Sequence, residues 1–132
     1  MTHTRIRPAT QDNRGSIADI LYHTPVQHAA FIASYNGAIR GNHYHKLTTQ
    51  HIFVTKGRLR YWYQPLDKSS PVAWEDVWKG DLVTTPPFEV HALQILAYGT
   101  EFIVLSDGPR GGKDYESDTF RVEPILTPEM CR

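Results

Sequence analysis

The sequence predicts an all-β protein of the double-sheet, jelly-roll type. Short segments rich in Val, Ile, Thr, Tyr and Trp favour strands. Nine glycines and nine prolines interrupt the chain too often for a helix of normal length. About eight strand-like segments separated by frequent turns suit two packed antiparallel sheets. At 132 residues the chain has a single-domain length, so 1–132 reads as one domain. Within it, residues 1–25 are a candidate N-terminal dimerisation arm and 107–132 an irregular C-terminal tail.

Residues 1–15 read as polar and irregular up to the turn signature Asp12-Asn13-Arg14-Gly15, and Ser16–Tyr22 as a short strand. An exposed sheet edge invites pairing, so this arm is expected to meet a second subunit, giving a homodimer. His28–Tyr35 is apolar on both faces and predicts a strand buried between sheets. Asn36-Gly37 turns the chain into Ile39–His45, and a strand over Gln50–Thr55 follows. In Arg58–Gln64, Leu59, Tyr61 and Tyr63 share a core face, while Arg58, Arg60, Trp62 and Gln64 share the other. Pro65–Pro71 is a loop, and Val72–Trp78 a strand. His91–Leu96 and Glu101–Leu105 are expected to form an antiparallel pair. Trp62, Trp74 and Trp78 are expected in the core or at a subunit contact.

Fourteen basic residues balance fourteen acidic ones, and no basic run is long enough to track a phosphate backbone, which excludes nucleic acid as a partner. No apolar run approaches the roughly 20 residues of a bilayer span, and Met1–Arg5 lacks the apolar centre of a signal peptide. A cytoplasmic protein with no membrane partner is the expectation. Cys131 is the only cysteine, so neither an intrachain disulfide nor a cysteine zinc cage can form.

Chemistry concentrates in Gly41–Gly57 and Gly80–His91. His43 and His45 are two apart and share a strand face, and Gln50 opens the next strand. His91 follows the bend at Pro86-Pro87. Three imidazoles and an oxygen donor are the ligand set of a mononuclear transition-metal site with open positions. The amide of Gln50 brings no charge and weakens that site. His3, His23, His28 and His51 lack ligand spacing.

These two stretches resemble the two cupin motifs, glycine with HxH and a later glycine, then glycine, proline and histidine. Gln50 stands where the family usually has glutamate, Phe88 where it has glycine, and Ile95 where it has asparagine. Phe88 is expected to narrow the pocket mouth. More narrowly, Arg40-Gly41-Asn42-His43-Tyr44-His45-Lys46 with Gln50 resembles small cupins acting on nucleotide-linked keto sugars, the 3,4-ketoisomerases and 3,5-epimerases. It also resembles the C-terminal cupin domain of capsular polysaccharide biosynthesis reductases. Asp12–Gly15 and the tail Asp114-Tyr115-Glu116-Ser117-Asp118 are similar to stretches of the ketoisomerases.

The resemblance implies a cupin jelly roll with a small-molecule substrate, a sugar or sugar nucleotide. One divalent metal (Zn, Ni, Fe or Mn) is expected on His43, His45, Gln50 and His91. The activity implied is isomerisation or epimerisation by proton transfer beside a carbonyl, with His43 and His45 as base and acid. Arg40 is the candidate stabiliser of an anion, and Tyr61, Tyr44 or Tyr63 the candidate proton donor. Metal ligation and acid-base work compete for the same imidazoles. A non-catalytic sugar-binding module of a polysaccharide pathway and a metal-dependent dioxygenase are the alternatives. Residues 110–118 are expected to form a flexible lid.

Overall fold

The protein, described by a computed structural model over residues 1–131, is built almost wholly of antiparallel strands. Arg132, the last residue of the expected tail, lies outside the described residues. The strands are β1 (Thr2–Arg5), β2 (Thr10–Asp12), β3 (Gly15–Ile17), β4 (His28–Ser34), β5 (Ile39–Tyr44) and β6 (Thr49–Lys56). They continue with β7 (Arg58–Pro65), β8 (Ala73–Trp78), β9 (Asp81–Thr85), β10 (Glu89–Ile95), β11 (Thr100–Asp107) and β12 (Phe120–Arg121). Two five-stranded sheets, in the orders β1-β9-β6-β11-β4 and β12-β5-β10-β7-β8, face each other, and β2 and β3 form a separate hairpin. This is the expected jelly roll. Among the described residues no helix is long and apolar enough to cross a membrane.

The core lies between the sheets. Strand alternation sends Leu59 and Tyr61 inward from β7, where they meet Ile52, Val54, Val77, Leu93, Ile95, Phe102 and Val104. All of these side chains are almost wholly removed from water, and apolar burial of this kind is worth about 1.5–3 kcal/mol per large side chain.

Several local expectations change. β10 and β11 are not partners: β10 lies between β5 and β7, and β11 between β4 and β6. The link Leu96–Gly99 carries the chain from one sheet to the other, as a double-sheet roll requires. For the same reason β5 and β6 face each other across the barrel instead of lying side by side. No further layer covers the outer side of the sheet that contains β4, so alternate residues of β4 face solvent and Phe31 is 64% exposed. Thr2–Arg5 was read as irregular, yet it pairs with β9 of its own chain. The expected dimerisation arm is therefore, over these four residues, part of its own sheet. The strand expected at Ser16–Tyr22 is replaced by the short β2–β3 hairpin, whose residues are exposed. The tail is not wholly irregular either: β12 returns to pair with β5, Phe120 against Tyr44 and Arg121 against His43.

Turn chemistry explains one tight junction. Gly57 sits between β6 and β7 at φ +84°, and a Cβ there would come within 2.8 Å of the Thr100 Cα. No side chain fits that gap, and the backbone angle itself disfavours L-residues. Gly57→Ala is expected to lower stability by about 1–3 kcal/mol. In thermal denaturation this is a fall of roughly 3–12 °C in Tm for a domain of this size. An unchanged Tm would show that the two hairpin ends are looser than described.

Candidate metal centre

A bulge in the β5–β10 pairing sets the site. The register shifts between His91 and Ala92, so that His91 lies opposite His43 while Ala92 lies opposite Gly41. Gly41 (φ +95°) and Asn42 (φ +60°) absorb the shift. A Cβ on Gly41 would come within 2.7 Å of the His91 carbonyl oxygen, so only glycine lets the strands approach this closely. Asn tolerates the left-handed region, and its side chain is held by the tail: Oδ1 accepts from Ile125 and Leu126 N–H, and Nδ2 donates to Leu126 C=O.

Beyond the bulge the three imidazoles converge. Their candidate ligand atoms lie within 4.8 Å of one another, the only such group of three or more found among the described residues. Ring centroids are 4.9 Å apart for His43–His45, 4.8 Å for His43–His91 and 5.3 Å for His45–His91. Gln50 reaches them from β6 across the barrel, with its Oε1 3.2 Å from His45 Nε2. The quartet foreseen from spacing thus meets at one place, although its strands are not neighbours.

Hydrogen bonds assign the tautomers. His45 Nδ1–H donates to the Asp118 carbonyl (2.7 Å) and His91 Nδ1–H to the Glu89 carbonyl (3.1 Å). A carbonyl can only accept, so in each neutral ring the lone pair is on Nε2. His45 Nε2 and Gln50 Oε1 then face each other as two acceptors. A shared proton, a rotated amide or a cation between them removes that lone-pair contact. His43 Nδ1 is buried without any partner. An unpartnered imidazole nitrogen beside two rings oriented by outer hydrogen bonds, at His45 and His91, is a donor set that fits a metal ion.

Burial keeps these rings neutral. Desolvation, with repulsion from His91, His45, Arg110 and Arg121, lowers the His43 pKa to about 2. His91 falls to about 4, again chiefly through desolvation, which its bond to the Glu89 carbonyl only partly offsets. His45 is lowered for the same first reason.

His43, Gln50 and His91 line a cavity of ≈ 250 Å³, while His45 is buried behind them and does not line it. Ile32, Ile39, Ile52, Leu93, Phe102 and Val104 supply apolar wall, while Arg40, Arg110, Arg121, Tyr115, Glu116 and Thr119 supply the polar part. Arg40 does line the cavity, but its guanidinium is turned to β4, with Nε donating to Ser34 Oγ at 2.7 Å. Arg110 Nη1 donates to the Tyr115 carbonyl and to Thr119 Oγ1, both at 2.9 Å. Arg121 pairs with Glu116 at 3.2 Å.

Tyr61 is not available as a proton donor. It is wholly buried, and its hydroxyl is shared between Thr85 Oγ1 (2.6 Å) and Glu89 Oε1 (2.8 Å), which leaves only its ring stacked along His91. Tyr63 bonds to Glu75 and Tyr44 stacks on Phe120, so neither lines the cavity. Phe88 does not narrow the mouth: at φ +63° it turns outward onto Pro65 and Leu66, while its N–H holds the His45 carbonyl at 2.7 Å. Lys46 lies over the Phe120 ring. His51 faces away from the quartet and pairs with Thr84, as strand alternation requires.

Sequence reasoning carried Arg110 and Asp118 only inside a tail stretch, with no role for either, and missed Arg121. Asp118 is the latch of the tail. Its carboxylate accepts from Lys46, Leu47 and Thr48 N–H and from Thr48 Oγ1 at 2.7–3.0 Å, and its backbone carbonyl orients His45. The segment expected to be a lid is therefore tied at this residue to the loop that follows His45. Burial alone would raise the Asp118 pKa, but the bonds from Thr48, Lys46 and Leu47 outweigh it and hold the pKa below its ordinary value of 3.8. A depressed carboxylate stabilises the fold above its unfolded pKa and loses that contribution as pH falls through the folded one. Asp118→Asn is expected to cost about 1–3 kcal/mol at pH 7. In melts taken from pH 7 down to 3 the gap to the natural protein should shrink; a gap independent of pH would contradict this role.

The family model described as the polysaccharide biosynthesis C-terminal domain matches residues 10–106, short of Arg110, Asp118 and Arg121. No curated protein sequence matches the chain. Among solved structures, the WlaRB TDP-quinovose 3,4-ketoisomerase from Campylobacter jejuni is similar at 15% identity, with 92% of each chain covered and a TM-score of 0.76. The Mycobacterium tuberculosis rmlC epimerase is similar at 14% identity over 91% of this chain and 67% of that one, with a TM-score of 0.73. CapF, solved with the inhibitor 3-isopropenyl-tropolone, is similar at 20% identity over 89% of this chain and 34% of its own, with a TM-score of 0.64. These likenesses are of fold and establish the cupin jelly roll. With the family model spanning most of its length, the chain belongs to the polysaccharide biosynthesis C-terminal domain family.

Proposed function

We propose that this protein is a metal-dependent isomerase or epimerase that moves a proton beside the carbonyl of a keto sugar carried on a nucleotide-type anionic group. The observation that carries the reading is the convergence of His43, His45, His91 and Gln50 at a cavity that His43, His91 and Gln50 line together with Arg40, Arg110 and Arg121. The ketoisomerase and epimerase names of the structural neighbours and the polysaccharide name of the family support it.

The ligand role outweighs the acid-base role for the imidazoles. A general base works best with a pKa near the operating pH, and values of about 2 and about 4 for His43 and His91 are far below it. A metal ligand needs its lone pair free, which the same depression secures. When bound, a divalent ion would act as a Lewis acid on the carbonyl oxygen.

In this reading the protein's own groups divide the remaining work. Arg110 and Arg121 attract the phosphate-type group, with the guanidinium fork suited to paired oxygens. The apolar wall excludes water. Glu116 is the carboxylate lining the cavity, and it accepts the proton from the carbon beside the carbonyl while the electron pair moves toward the carbonyl oxygen. Return of the proton to the other face gives an epimer; its return to the former carbonyl carbon, with an exchange of hydroxyl protons, gives the isomeric ketone. Gln50 in place of a carboxylate ligand counts against a redox iron site and hence against a dioxygenase.

Protein purified in the presence of zinc, nickel, iron or manganese is expected to hold one ion per chain, and His91→Ala to lose at least roughly tenfold in affinity. Equal metal content by elemental analysis in both would remove the metal from the proposal. Incubated in heavy water with nucleotide-linked keto sugars, the metal-loaded protein is expected to place deuterium on the carbon beside the carbonyl, and Glu116→Gln to slow this by roughly 100-fold. Binding of those sugars without any deuterium uptake would make the protein a non-catalytic binding module.

A further inference from the structure

Enclosed polar side-chain atoms without a partner are rare in folded proteins, and three are found among the described residues: His43 Nδ1, His28 Nδ1 and Ser106 Oγ. The first belongs to the metal centre. The other two lie in one row that ends at that centre. Ser106 of β11 is opposite Gln50 of β6 on one side and opposite His28 of β4 on the other. Alternation turns Ser106 to the inside of the barrel with Phe102 and Val104, and Gln50 with Ile52 and Val54. His28 shares that face as the register partner of Ser106.

Little of the row meets water. Ser106 is wholly buried and Gln50 nearly so. At the far end the tail backbone covers His28: a Cβ on Gly111 would come within 2.7 Å of His28 Cδ2, so a larger residue there would strike the ring. Cδ2 and Nδ1 are on opposite sides of an imidazole, so the edge that meets Gly111 is not the edge that carries the unpartnered nitrogen. Gln50 has a deficit of its own. Its Oε1 faces His45 Nε2 at 3.2 Å, while its amide nitrogen has no hydrogen bond among the described residues. An acceptor for that N–H group is what fixes a side-chain amide with its oxygen toward a metal.

We infer that Ser106 and His28 are positioning residues for Gln50: His28 Nδ1 accepts from the Ser106 hydroxyl, and Ser106 Oγ accepts from the Gln50 amide, which turns Oε1 toward the three imidazoles. The far end of the row sets its direction. A hydroxyl both donates and accepts, so Ser106 alone would serve either orientation of the amide. With its proton on Nε2, His28 offers a lone pair at Nδ1, engages the Ser106 hydrogen, and leaves Oγ to accept. Same-face neighbours on adjacent strands have Cβ atoms about 4.5–5.5 Å apart, a span closed by rotation of the Ser106 and Gln50 side chains or by one bridging water. A carboxylate at position 50 would need no such device, because its two oxygens are equivalent. This role rests on the metal reading of the quartet and names the residues that decide which end of the amide the metal meets.

Cobalt(II) titrated into the protein against a competing chelator, and followed by its visible absorption, tests this. Ser106→Ala is expected to weaken cobalt binding at least roughly tenfold and to shift the absorption bands, and His28→Phe, which keeps a ring but no nitrogen, to act in the same direction. Gln50→Glu is expected to bind cobalt more tightly than the natural protein, and in that background Ser106→Ala to change the affinity less than about twofold. Melts of metal-free protein give a second reading. Removing a hydroxyl that joins two buried groups lowers Tm by about 3–6 °C, whereas removing one without partners leaves Tm unchanged or raises it. An equal loss of cobalt affinity from Ser106→Ala in both backgrounds, no loss in the natural one, or an unchanged or raised Tm would each overturn the inference and leave the metal centre standing. Failure of the natural protein and Gln50→Glu alike to bind cobalt would overturn the metal reading, and the inference with it.

Discussion

Three imidazoles packed against one another inside an apolar barrel form the constraint on which the remaining structure depends. None of them can carry a proton at neutral pH without placing charge in a desolvated space beside two other rings, and the depression of His43 and His91 expresses that cost. The barrel must therefore hold neutral rings with oriented lone pairs. It does so with two backbone carbonyls, at Asp118 and Glu89, and with a bulge that needs glycine at position 41 and a left-handed Asn42. Much of what the motif shows as spacing is the local backbone chemistry of that bulge.

The tail extends the same logic outward. Asp118 joins the last long segment to the loop after His45 through four hydrogen bonds, and its carbonyl sets the ring of a candidate ligand. One residue thus links closure of the cavity wall to orientation at its floor. Arg110 and Arg121 come from this segment, on either side of the latch, so the positive rim is put in place by the same contact. The family model ends at residue 106, before these residues.

The barrel class and the meeting of His43, His45, Gln50 and His91 were legible because alternation and turn residues act locally and leave a direct mark on the sequence. Strand partnership was not. Whether β10 pairs with β11 or with β7 is decided by which sheet each joins, and Leu96–Gly99 looks like a hairpin link until both sheets exist. Tyr61 was rightly assigned to the inner face, but its hydroxyl meets Thr85 and Glu89 instead of the cavity, a matter of depth along the barrel that periodicity does not encode. Phe88 replaces an expected glycine and keeps its left-handed backbone by turning outward. The tail was legible only as a charged, glycine-rich stretch; the four donors of the 46–48 loop that select Asp118 appear only once the chain has folded back.

The central claim is that the four side chains form one coordination sphere. Anomalous X-ray scattering from crystals grown with a single added transition metal addresses it most directly. The account predicts one peak, about 2.0–2.2 Å from a ring nitrogen of each histidine and from Gln50 Oε1, with Nε2 as the bonded atom in His45 and His91. A metal-replete crystal with no peak among these rings, or with His45 bonded through Nδ1 and released from Asp118, would contradict it.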